Sequence, residues 1–104
     1  MANRINYNKT IDQADDIKDL ARDLGTEIEE LQNLLSNVKN DWKGPASDAF
    51  QKQLKMLITD MKATKESMSD VASDIKSAAK QIQREDEEKE ASISGSGGGG
   101  GGSF

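Results

Sequence analysis

Carboxylates are the commonest side chains here that could do chemistry: 19 Asp and Glu stand against 14 Lys and Arg, with no His and no Cys. Paired carboxylates can act as general acid and base, but only in a cleft that sheds water and drives their pKa values apart. In this chain they are spread along the outward positions of helical repeats. The absence of His removes the commonest general base and metal ligand. A helix-bundle metal site built on Glu-x-x-His therefore has no candidate. The absence of Cys removes disulfides and thiolate metal sites. The glycine run from Gly97 to Gly102 follows no strand and precedes no helix, so it is not a phosphate loop. The composition points away from catalysis: no catalytic residue, no metal site and no cofactor are expected.

A net charge of −5 would repel the phosphates of nucleic acid and of anionic membranes, so neither is expected as a partner. No apolar run approaches the roughly 18 residues of a membrane span, so no stable membrane insertion is expected. Met1 to Asn8 is polar and Asn-rich and does not read as a secretory signal. Residues 1–8 are expected to be flexible.

Two long amphipathic helices must carry the polar surface. Thr10-Ile11-Asp12-Gln13 fits a capping box, which starts the first helix at about residue 9. Ala14, Ile17, Ala21, Leu24, Ile28, Leu31, Leu35 and Val38 then alternate steps of three and four, the spacing of a heptad seam. Leu20 and Leu34 widen that seam on one side. Gly25 interrupts it, either as a tolerated weakness of about 1 kcal/mol or as a place of close approach. The first helix is expected to end near residue 40, with Asn40 able to take a left-handed conformation. The turn spans 40–44. Gly44 allows tight reversal, and Pro45 suits the first position of a second helix over 45–87.

On that second helix Phe50, Leu54, Leu57, Met61, Thr64, Met68, Val71, Ile75, Ala78 and Ile82 keep the same alternation. Ile58, Ala72 and Ala79 form a partial stripe beside them. Thr64 is expected to bond the carbonyl one turn back. So short a turn makes the helices antiparallel neighbours, giving an all-α two-helix hairpin over residues 9–87. A lone hairpin leaves one side of its apolar stripe wet, and pairing into a four-helix bundle would bury it. Residues 88–104 are expected to be a disordered acidic and Gly/Ser-rich tail.

Trp42-Lys43-Gly44, at the turn between two amphipathic helices in a chain of 104 residues, resembles the Trp-x-Gly (WXG) family of small type VII secretion substrates. Ala46 and Phe50 strengthen the likeness, because family members often carry a small residue after the Gly and an aromatic about six further on. The resemblance covers residues 8 to 87. It implies a hairpin that forms a homodimer, or a heterodimer with another WXG-type hairpin. It also implies export from a bacterial cytoplasm without a cleaved signal peptide, driven by a membrane ATPase, with some members acting as partners of larger toxins. A cytosolic chaperone for such a toxin and a generic structural coiled coil are the alternatives.

By residue, the resemblance makes Trp42 and Gly44 the motif. Pro45 and Phe50 support the turn and helix start, and the Trp42 ring packs across the turn end of the bundle. A plain hydrophobic plug of the loop is the simpler role for Trp42. Many relatives also carry Tyr four residues before an acid after the second helix. This chain has no Tyr there, and Ile82 with Asp86 is the nearest equivalent and the candidate for an export signal. Ile17, Leu24, Ile28, Leu31, Leu35, Leu54, Leu57, Met61, Met68, Val71 and Ile75 are the seam residues assigned to the hairpin core and its dimer.

Overall fold

The structure, a computed structural model, describes residues 6–97, with side chains described to residue 91. Helix α1 runs Tyr7–Asp41 and α2 runs Pro45–Gly97, and the two pack as an antiparallel hairpin. At about 1.5 Å per residue, α1 is about 53 Å long and α2 about 80 Å.

The helix ends differ from the sequence expectation. Asn6, not Thr10, caps α1: its side-chain oxygen accepts from the Lys9 N–H at 3.0 Å, and the Thr10 N–H bonds the Asn6 carbonyl. Asn leads Thr as an N-cap, so the earlier site wins. Tyr7 and Asn8 are thus helical rather than part of a flexible arm, while residues 1–5 lie outside the described residues. At the other end α1 continues through Asn40, which is not left-handed.

Helix α2 passes residue 87 and the acidic run to reach Gly97, and residues 98–104 lie outside the described residues. The helix dipole opposes acids only within the last turn. That turn lies beyond Glu90, so the Glu, Lys and Ala of the run act as helix formers. Gln81 Nε2 also donates to the Glu85 carboxylate at 3.2 Å, one turn on.

On α1 the expected seam faces α2. Ala14, Ala21 and Ile28 are buried, and Ile17, Leu24, Leu31, Leu35 and Val38 are half-buried. On α2 the seam lies beside the expected one. Leu54 is buried, and Met61, Met68 and Ile75 are half-buried. Between them, Phe50, Leu57, Thr64, Val71 and Ala78 are exposed. Their places are taken one residue later by Gln51, Ile58, Lys65, Ala72 and Ala79. Leu57 and Val71 are therefore not core residues of the hairpin. Small side chains decide this shift. The contacts Asp15–Lys76 and Tyr7–Asp86 set a register that places Ala14 level with Ala79 and Ala21 level with Ala72. Alanines at the same level let two helices approach more closely than Val or Leu would allow.

The core tapers accordingly. Towards the turn, Ile28, Leu54 and Ile58 cluster with Leu24, Leu31, Leu35 and Met61. Towards the open end the alanines are supplemented by polar clips. Lys76 Nζ donates to Asp15 Oδ1 at 2.9 Å, and the Tyr7 hydroxyl donates to the Asp86 carboxylate. At Gly25 a Cβ would stand 2.7 Å from Lys65 Cε, so a lysine stem, not a backbone, uses the missing side chain. Thr64 Oγ1 donates to the Asp60 carbonyl at 3.0 Å, which satisfies the polar break in the apolar pattern.

Candidate functional site

The corner between the helices is built from the backbone outward. Trp42 leaves the helical conformation at φ −125° and ψ 117°, yet its N–H still bonds the Val38 carbonyl at 3.0 Å. The Lys43 ammonium donates to the Lys39 carbonyl, covering another open acceptor at the helix end. Gly44 then reverses the chain at φ +123°, the one positive φ among the described residues. A Cβ there would meet nothing within 4 Å, so the demand for glycine is torsional and not spatial. The Gly44 carbonyl accepts the Asp48 N–H at 3.0 Å, which opens α2, and Pro45 holds its first position.

Ser47 ties the two arms together. It is fully buried, donates its hydroxyl to the Trp42 carbonyl at 2.7 Å, and accepts from Gln51 Nε2 at 3.0 Å. No motif or periodicity marks Ser47 in the sequence. The available signal was its place two residues past Pro45, where a hydroxyl in the first helical turn can reach back across a corner.

The aromatic pair sits outside this tie. The Trp42 and Phe50 ring centroids are 5.9 Å apart with a 46° tilt, within the range of favourable aromatic pairs. Trp42 is 44 % exposed and Phe50 41 % exposed. The tryptophan therefore packs against Phe50 while leaving nearly half of its surface open. The polar tie of Ser47 fills the corner, and the indole is displayed at the tip.

From the tip an apolar face runs along one side of the hairpin. Leu57 is 49 % and Val71 51 % exposed, and Leu20, Leu34 and Ile82 are exposed as well. Ile17, Thr64, Met68 and Val71 help line an open apolar groove of about 400 Å³ midway along it. Most of these residues lie three or six positions past a deep seam residue, which puts them on one flank of each helix.

At the open end, Ile82 is exposed and Asp86 is half-buried against the Tyr7 hydroxyl. The acid of that candidate pair is thus already engaged within the hairpin. Beside Lys76, Asp15 is held below the usual carboxylate range, chiefly by the hydrogen bond from that ammonium, with Lys18 and Lys80 adding to it. Among the described residues, no group of carboxylates is placed to hold a metal ion, and no helix is long and apolar enough to cross a membrane.

A family model for WXG100, described as proteins of 100 residues with WXG, matches residues 3–87. No curated protein and no solved structure matches the chain.

Proposed function

The chain belongs to the WXG100 family, the ESAT-6-like family of type VII secretion substrates, and we propose that it is exported by such a system as a helical-hairpin substrate or export partner. The exposed Trp42–Phe50 pair at a rigid Gly44 corner carries this reading, because an indole displayed on a fixed turn suits recognition by another protein. The export ATPase is the natural reader of that tip. The apolar face through Leu20, Leu34, Leu57 and Val71 is the surface on which a second hairpin would pack to complete a four-helix bundle. Its partner would be another WXG-type hairpin or the corresponding part of a larger toxin.

A second reading, a cytosolic targeting partner for such a toxin, is favoured by one observation. Asp86 is held by Tyr7 rather than presented with an aromatic one turn before it. Such a chain would leave the cell only with its cargo.

The test is export from a bacterium that carries a type VII system, with and without its ATPase. Wild type is expected in the medium only when the ATPase is present, and Trp42→Ala is expected to stay inside while keeping the wild-type helical circular dichroism. Release that ignores the ATPase would sink the export reading. Release that depends on a co-expressed toxin would select the targeting role.

A further inference from the structure

We propose that the apolar face is built for a partner with a basic rim, so that this chain pairs with a different amphipathic hairpin in preference to a second copy of itself. This preference presupposes the pairing proposed above and adds the chemistry of the partner.

The basic residues are sorted by flank, whereas acids stand on both, with Asp15, Asp19, Glu29, Glu66 and Asp70 on the lysine side. The deep seam recurs every seven residues, at Ala14, Ala21 and Ile28 on α1 and at Ile58, Lys65, Ala72 and Ala79 on α2. With about 3.6 residues per turn, three positions on lies on the apolar flank, two positions on lies at its outer edge, and four positions on lies across the seam. Three on gives Ile17, Leu24, Leu31, Met61 and Ile75. Two on gives the exposed acids Asp16, Asp23, Glu30, Asp60 and Asp74. Four on, on the opposite flank, gives Lys18, Lys62 and Lys76.

Glu27 and Asp41, six positions past their seam residues Ala21 and Leu35, add carboxylates within the flank itself, in the same column as Leu20 and Leu34. Over residues 13–41 and 50–88, the positions two, three and six past a deep seam residue hold no Lys or Arg. Between residues 13 and 88 the apolar face is therefore bordered by carboxylates on both helices with the lysines turned away from it, and only at the open end do Lys9 and Lys89 take the two-on and three-on positions.

Apolar burial drives such a face into contact, but the edge charges choose the partner. Two copies joined through this face bring acidic edge against acidic edge, whichever way they run. That opposes association and slows encounter. An apolar stripe edged with Lys and Arg meets the same face with attraction.

The probe is this same chain carrying Asp16→Lys, Asp23→Lys, Asp60→Lys and Asp74→Lys. All four positions are exposed, so the seam is left intact, and circular dichroism checks the helices. Sedimentation equilibrium would follow wild type alone and wild type mixed with the variant. The salt series runs from about 0.01 M to about 1 M NaCl, over which the screening length falls from roughly 30 Å to roughly 3 Å.

At low salt the mixture is expected to form a one-to-one complex on the order of tenfold tighter than wild type with itself. Its affinity should fall with salt, while wild-type self-association should rise. Those opposite slopes separate charge from the general strengthening of apolar contacts by salt. Tight, salt-insensitive wild-type self-pairing that is abolished by Val71→Asp would overturn the charge inference and leave the docking face standing. Failure of wild type to associate with itself or with a folded variant at any salt would overturn both. Should the four-site variant not fold, the two-site variant Asp16→Lys with Asp60→Lys takes its place in the mixture, and a wild-type slope that is flat or falls with salt overturns the inference on its own.

Discussion

At Gly44 and Ser47 the corner separates two demands that a turn usually mixes. Gly44 meets a torsional demand, since φ +123° with open space around the missing Cβ penalises any side chain through the backbone alone. Ser47 meets a hydrogen-bonding demand, since its buried hydroxyl is a partner of the Trp42 carbonyl. Gly44→Ala is expected to cost about 1–3 kcal/mol by strain. Ser47→Ala is expected to cost about 1–2 kcal/mol, because the Trp42 carbonyl and the Gln51 amide lose their partner in a closed space. Urea unfolding measures both. Ser47→Ala should also free the Trp42 segment, so its indole emission should shift in the native state while that of Gly44→Ala shifts less. Equal stability of Ser47→Ala and wild type would mean that the serine tie does not hold the corner. The Trp-x-Gly triplet was legible in the sequence because each residue type has one conspicuous property. Ser47 was not, because a lone serine in a polar chain has no distinguishing pattern until its neighbour across the turn is known.

Each helix poses its own problem of reading. On α1 one stripe carries most of the apolar residues, with only Leu20 and Leu34 beside it, so the face turned to α2 followed from spacing alone. On α2 two stripes lie one residue apart, one with Phe50, Leu57 and Val71 and one with Ile58, Ala72 and Ala79. Apolar bulk favours the first, and close approach favours the second. Periodicity cannot decide between them, because the choice depends on the size of what α1 presents opposite, Ala14 and Ala21. The open end has few large side chains, so its clips carry more of the docking there. Asp15 has its folded pKa lowered, so its contribution is present at pH values above the ordinary aspartate pKa of about 4 and is lost as the pH falls through the lower folded value. Lys76→Ala should therefore be less stable than wild type at pH 7, and the two should converge in acid, once the pH has fallen through the lowered pKa. Lys18 and Lys80, which also face Asp15, keep part of the effect in the variant. A gap that persists unchanged in acid would assign the loss to the Lys76 stem and not to its charge.

The whole molecule has one apolar surface that closes on itself and another that does not. Ile58 and Leu57 are adjacent in sequence but belong to these different surfaces. Truncating a buried Ile leaves a cavity as well as losing transfer energy, so Ile58→Ala is expected to cost about 2–4 kcal/mol in the isolated chain. Leu57 is already half in water, and Leu57→Ala should cost no more than about 1 kcal/mol there. In the paired state the order changes. Once a second hairpin covers the face, Leu57 is removed from water, so the stabilisation that the partner lends by mass action should be smaller for Leu57→Ala than for wild type. Ile58→Ala should keep that increment, since it alters the inner seam and not the outer face. Thermal unfolding with and without a saturating partner, for which the lysine-edged variant serves, reads both quantities from one set of curves. If Leu57→Ala lost as much as Ile58→Ala in the isolated chain, the outer stripe would already be packed within the hairpin. The face would then have no room for a partner, and the display of Trp42 at the tip would be left as the molecule's remaining means of recognition.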